Sequence, residues 1–402
     1  MHRLIVIVTL LLLPAMGYAQ DRIVLQTGTL LDGTGKILHN QQIVIESGKI
    51  SSIGPGKARA DYDLSALTVM PGWIDTHIHL QWHMNAEAKA VADNKDPQEM
   101  LLYSEADAWM TLQGGFTTVQ SVGSSWDAPV RDRIKEGALP GPRVLTSLTQ
   151  IQAGTGEGDQ RHVFTVEELR AMVRKAKADG ADVIKLFATS GLGAGGGQTM
   201  SNEQIEAVCS EAKAVGLRAV VHAIGDSGAR AAVDAGCSSI EHGTFVSDAT
   251  LDAMAKRGTW FDPNMLVLHN YLDKRESYNF TDAQLATIEK GIAPTADVLH
   301  RARQHGVKLV FGTDAVAGAH GRNAEEFIYR VRDAQEKPMD VIISATSLSA
   351  ECLGLGRETG TLAPGYDADI VGIAGDPLQD ITAVRKVMFV MKGGKIYKNQ
   401  TR

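Results

Sequence analysis

Short apolar runs alternate with amphipathic stretches through most of this chain, and that rhythm limits the fold more than any other feature. The runs are 72–80, 117–122, 143–148, 182–187, 217–223, 239–243, 259–262 and 308–314, eight in all. The segments between them have readable helix starts. Thr165 with Glu168, Ser201 with Gln204 and Thr281 with Gln284 form capping boxes, whose side chains satisfy the free N–H groups of a first helical turn. Eight strand–helix units predict an α/β fold, a (β/α)8 TIM barrel over 69–359. An open doubly wound sheet would carry a Gly-rich turn after its first strand. Here the first run ends in His and Trp instead.

The two chain ends read differently. Residues 20–68 are short β-rich runs separated by Gly and Asp turns, and 360–402 alternate in the same way around Gly393-Gly394. Together they predict a small β-sandwich domain built from both ends. Ahead of them, His2-Arg3 gives a basic start, Leu4 to Leu13 is an apolar run, and Gly17-Tyr18-Ala19 offers a small-residue cleavage point. Residues 1–19 read as a signal peptide. The apolar run is half the roughly 20 residues a spanning helix needs. The expected location is therefore exported, periplasmic or secreted, with no membrane attachment after cleavage. Net charge is −7, from 40 basic and 47 acidic residues, with no basic run, which argues against a nucleic-acid partner. The three cysteines, Cys209, Cys237 and Cys352, make no disulfide framework and no zinc spacing; they read as small buried packing residues.

In such a barrel, chemistry gathers at the C-terminal ends of the strands. The first run ends with His77 and His79, two apart and so on one face. Lys185 sits inside the fourth run, His222 near the end of the fifth, His242 in the sixth and Asp314 at the end of the eighth. Taken singly, each histidine reads more simply as a hydrogen-bonded core residue, and Asp314 as a helix cap. Lys185 is harder to place that way, because a buried lysine needs a partner or a modification. Taken jointly, four imidazoles and a carboxylate suit zinc or another divalent transition metal.

These residues lie in the strings PGWIDTHIHL, GGFTTVQSVG, ADVIKLFATSG, VVHAIG, IEHGTF, GTDA and GTLAPGYDADIVGIAGDPL. With them the chain resembles the binuclear members of the amidohydrolase superfamily along nearly its whole mature length. The resemblance implies two divalent metal ions, with zinc expected. His77, His79 and Asp314 would hold one metal, and His222 and His242 the other. Lys185 would carry a carboxylate added from carbon dioxide and bridge the two. It further implies hydrolysis of an amide or peptide bond by a metal-bridging hydroxide, with Asp314 as the proton-transferring residue. The wording is similar to metallodipeptidases that cut Xaa-Pro or Xaa-Arg-type peptides and to ochratoxin-type amidases. A small-molecule substrate with a free carboxylate, a dipeptide or N-acyl amino acid, follows from that likeness.

One loop departs from the dipeptidase pattern. Where a GGHGD-like loop would supply a His, this chain has Gln152-Ala-Gly-Thr-Gly-Glu-Gly-Asp159, with His162 just beyond. Gln152 and Glu157 are therefore candidate substrate contacts, as are His83, Arg275 and His320 from other strand-end loops. His162 reads as an ordinary loop residue. Two other readings stay open: a cyclic amide hydrolase or deaminase of the same superfamily, and a non-catalytic exported binding protein. Lys185 argues against a mononuclear deaminase, and the intact ligand set against the binding protein. The resemblance also allows a homo-oligomer.

Overall fold

A computed structural model describes residues 22–92, 96–156 and 162–401. The signal-peptide reading of 1–19 and the candidate Glu157 lie outside the described residues. Both chain ends enter one eight-stranded mixed sheet. Its order is Lys395–Asn399, Val387–Lys392, Ile370–Ala374, Tyr62–Pro71, Ile23–Leu31, Gln42–Glu46, Lys49–Gly54, with Ile37–His39 also on Ile23–Leu31. Ile23–Leu31 runs parallel to Tyr62–Pro71, and the other pairings are antiparallel. Alternate residues of these strands, including Leu25, Ile43, Ile45, Leu64, Ile370 and Phe389, bury a core of their own.

The apolar runs between the ends form parallel strands. Three of them, Trp73–Ile78, Phe116–Ser121 and Arg143–Thr146, make one sheet. A second sheet joins Gln150–Ile151, Val183–Phe187, Arg218–Gly225, Ser239–Phe245 and Trp260–Asp262. The Asp182 N–H donates to Thr146 O at 2.8 Å and links the two. The eighth run forms no ladder strand. It touches both neighbours through isolated parallel bridges, Phe261 with Leu309 and Ile78 with Ala315. Helices pack outside these strands, and all three expected capping boxes are present. The largest core cluster is anchored by Trp73, whose ring lies 5.5 Å from Phe116 and 5.0 Å from Phe327. Each such buried ring stabilises the fold by about 1.5–3 kcal/mol.

The cysteine reading needs one correction. Cys209 and Cys237 are buried, as expected, but they form a disulfide, with Cα atoms 5.2 Å apart. Helix Asn202–Ala214 lays Cys209 against the turn that feeds Ser239–Phe245, and this closes a 28-residue separation that spacing alone did not reveal. Cys352 is the one free, buried thiol among the described residues. No helix among the described residues is long and apolar enough to cross a membrane.

Candidate metal centre

The six strand-end residues meet. His77 Nε2 and His79 Nε2 lie 3.5 and 3.1 Å from Asp314 Oδ1. Lys185 Nζ is 3.2 Å from His77 Nε2. The His77 and His242 rings are 5.3 Å apart by centroid, and His242 and His222 are 4.5 Å apart. Local backbone makes this convergence. Successive side chains of a regular strand alternate faces, yet His242 has φ +68° and Asp314 φ +51°. Left-handed backbone is uncommon for non-glycine residues and concentrates at functional sites. Here it re-aims both side chains inward.

The ring beyond the ligand atoms is fixed by residues that the sequence reading did not single out. Glu241 Oε2 lies 2.8 Å from His77 Nδ1. With Glu241 accepting, the His77 proton sits on Nδ1 and leaves the Nε2 lone pair facing Asp314 and Lys185. The Ser239 hydroxyl donates to Glu241 at 2.5 Å. Asp262, on the next strand, accepts from the Thr76 hydroxyl at 2.6 Å. Asp75 accepts from the Thr313 N–H at 3.0 Å, the Thr313 hydroxyl at 2.7 Å and Asn323 Nδ2 at 2.8 Å, which pins the turn into Asp314. Gly312 permits this arrangement, because a Cβ there would fall 2.0 Å from Asp262 Oδ2.

Electrostatics suit a cation. Burial pulls His77 and His242 well below the ordinary histidine range and brings His222 down to about 4, with Lys185 adding to the effect on each. Neutral imidazoles keep the lone pairs that metals require. Burial pushes Asp314 up, but His77, His79 and Lys185 outweigh it and bring it down to about 2. Burial also lowers Lys185, against the pull of Glu241 and Asp314. Its side chain is 1% exposed, with no carboxylate within ion-pair distance among the described residues. His77, His79 and Asp314 bring one donor atom each within 4.8 Å of one another, a spacing that fits a metal ion. His77, Glu241 and Asp262 meet the same spacing one layer deeper.

The remaining predicted residues fall around this cluster. His320 is buried behind it, with Nε2 3.1 Å from His79 O. His83 stacks on Tyr103 at 4.0 Å, and its Nδ1 lies 3.0 Å from Gln81 O. Gln152 is exposed on the wall of a cavity of about 1030 Å³, beside Phe164 and Met172. Arg275 is exposed, and its Nε donates to Leu272 O at 3.3 Å. His162 is exposed, pairs with Glu168 and sits in the short strand His162–Val163 against Gly154–Thr155. Phe187, two residues past Lys185, stacks on His222 at 4.7 Å. Tyr278, Tyr271 and Trp82 belong to a separate apolar cluster formed by the loops after the strands.

Histidines from three strand ends, a buried lysine on a fourth strand and a carboxylate at their rim suit a metal-dependent hydrolase. Residues 68–397 match the amidohydrolase family, and the chain belongs to that family, whose members hydrolyse carbon–nitrogen bonds. The chain is 25% identical to the ochratoxinase of Aspergillus niger, over 93% of its own length and 86% of that protein's. It superimposes on a Xaa-Pro dipeptidase with bound methionine in the active site at a TM-score of 0.87, with 31% identity over 94% of this chain and 100% of that one. A prolidase complexed with N-methylphosphonate-L-proline superimposes at 0.84, with 25% identity over 94% and 100%.

Proposed function

We propose that this chain is a binuclear amidohydrolase that cleaves the amide bond of a dipeptide or N-acyl amino acid. One observation carries this reading: Lys185 Nζ stands 3.2 Å from His77 Nε2 in the midst of His79, His222, His242 and Asp314. A buried lysine here meets an imidazole but no carboxylate within ion-pair distance among the described residues, whereas a carboxylated lysine is itself a ligand. The dipeptidase, prolidase and ochratoxinase likenesses support the substrate class. In this reading the two parallel sheets and segment 307–315 form one closed (β/α)8 barrel over 69–359, carrying a β-sandwich from 20–68 plus 360–402. The chain is exported once 1–19 are removed, takes a small-molecule substrate, and stays free of nucleic acid and membrane.

His77, His79 and Asp314 would hold one divalent metal ion, His222 and His242 the second, and carboxylated Lys185 both; imidazole and carboxylate donors favour zinc. The bound pair supplies Lewis acidity and a water of lowered pKa. The protein's own work is positional. Glu241 holds the His77 tautomer, and Asp75 holds the turn that aims Asp314. Asp314 Oδ takes the proton of the attacking water and returns it to the leaving nitrogen. Products are a carboxylic acid and an amine. Phe187 and the apolar cluster above the strands exclude bulk water, which strengthens each of these interactions.

The test is metal content per chain, on protein purified without chelator, beside Lys185→Ala, followed by a ninhydrin screen of dipeptides and N-acyl amino acids. About two equivalents in wild type, falling to about one or fewer in the variant, is the expected result for a two-metal site. About one equivalent in both would replace this reading with a mononuclear one. None after incubation with zinc and bicarbonate would end it.

A further inference from the structure

Away from the metal centre, one cavity gathers three cationic side chains, one of which has no carboxylate partner among the described residues. It lies between the end of helix Pro97–Gln113, segment 320–325 and strands Val387–Lys392 and Lys395–Asn399, with a volume of about 490 Å³. That is within the range of small-ligand sites. Arg322, Arg385 and Lys398 line it, and Glu325 is the one carboxylate residue on its wall among the described residues. Arg322 is already held by Asp273 at 2.9 Å and Glu325 at 2.7 Å. Arg385 reaches Glu325 only at 3.4 Å. Lys398 donates to Gln113 O at 3.2 Å and has no carboxylate partner among the described residues. Burial holds its ammonium below the ordinary lysine range. The chain as a whole carries a charge of −7, so a cationic hollow runs against its composition.

Facing these cations is an apolar wall. Trp109 and Met110 are 38% and 42% exposed, although their neighbours Ala108 and Leu112 are fully buried. Beyond them, His320 lines the cavity, with its side chain 1% exposed and no partner for Nδ1 among the described residues. An unpaired buried polar atom costs about 1–3 kcal/mol unless a water or ligand meets it.

We propose that this cavity binds a small organic carboxylate with an apolar or aromatic body. The carboxylate pairs with Lys398 and Arg385, and the body lies against Trp109 and Met110. A charge-assisted bond to a half-buried ammonium outweighs one made in open solvent. A ring beside Trp109 buries apolar surface that the fold leaves exposed. The site is distinct from the metal centre, because none of His77, His79, Lys185, His222, His242 and Asp314 lines it.

The experiment titrates 4-fluorobenzoate into the metal-loaded full chain and follows fluorine NMR. Saturable binding with a Kd at or below about 1 mM is expected. The double variant Arg385→Gln/Lys398→Met weakens it about tenfold or more, and the uncharged 4-fluorobenzamide binds wild type as poorly. Lys185→Ala, which alters the metal centre, binds like wild type. Absence of saturable binding overturns the proposal, as does equal binding by the double variant. Loss in Lys185→Ala with retention in the double variant overturns it too, since the ligand would then sit at the metals. The double variant's thermal midpoint without ligand separates loss of the site from loss of the fold, and Arg385→Gln alone, at an exposed position, serves where the pair unfolds. The outcome is independent of metal stoichiometry, so it fails or holds apart from the proposed hydrolysis.

Discussion

Glu241 determines which nitrogen His77 offers to the site, through the 2.8 Å contact at Nδ1. Removing such a carboxylate partner lowers metal affinity by about 10–100-fold. Glu241→Ala should fall in that range, and Glu241→Gln, whose amide oxygen still accepts from Nδ1, should lose less. Competition with a chelator measures both; equal retention by wild type and the alanine variant would remove Glu241 from this role. The six residues that meet at the strand ends were legible in the sequence because His, Lys and Asp there are chemically conspicuous. Glu241 was not, since it directly precedes His242 and strand alternation assigns neighbours to opposite faces. The φ of +68° at His242 breaks that alternation and turns both inward. No pattern of residue types announces such a backbone reversal. Asp262 and Asp75 escaped notice for a related reason: their partners Thr76, Thr313 and Asn323 are distant in sequence or unremarkable in type.

Individual elements were read with more success where the signal was local. Capping boxes and apolar runs act over a few residues, and seven of the eight runs became ladder strands. The eighth did not, because Gly312 makes room for Asp262 and Asp314 turns left-handed, which leaves only single bridges. Long-range pairing was the blind spot. The Cys209–Cys237 bond joins a helix to a strand entry across 28 residues. Closing a loop of that length stabilises by about 3–4 kcal/mol in the chain-entropy account. Cys209→Ser/Cys237→Ser should lose roughly that amount in denaturant titration, and reductant should lower wild type towards the variant. A second element prediction concerns helix Met265–Asp273, whose N-cap Asn264 makes no side-chain cap bond. Glu326 from another helix accepts from the Met265 and Leu266 N–H groups at 3.2 and 2.6 Å. Glu326→Ala leaves those donors buried and unpaired, which costs about 1–3 kcal/mol. A loss below about 0.5 kcal/mol in the same titration would show that water replaces the cap.

Across the whole molecule, the chain-end sheet is tied to the helices and strands of the metal centre by a few polar links. Arg143 reaches Glu358 and Asp367 at 2.8 and 2.7 Å, Gln113 Nε2 donates to Tyr397 O at 3.0 Å, and Lys392 Nζ donates to Gly141 O at 2.6 Å. Lys392 makes this joint sensitive to pH. Burial lowers it from 10.5 to about 8, against the attraction of Asp369. Below about pH 8 the lysine is protonated in both folded and unfolded chains, and the folded state bears the whole penalty of a desolvated ammonium. Between about 8 and 10.5 the unfolded chain binds more protons than the folded one, so this residue's contribution rises with pH. The slope is at most about 1.4 kcal/mol per pH unit. Tyrosines titrate in the same region, so the quantity to measure is the difference between wild type and Lys392→Met. The variant should be the more stable near pH 7, and its advantage should shrink steadily between pH 8 and 10.5. A constant difference across that range would mean that water or Asp369 already compensates the charge. A shrinking one would show that the joint carries an uncompensated lysine, whose single proton shifts the stability of the fold around it.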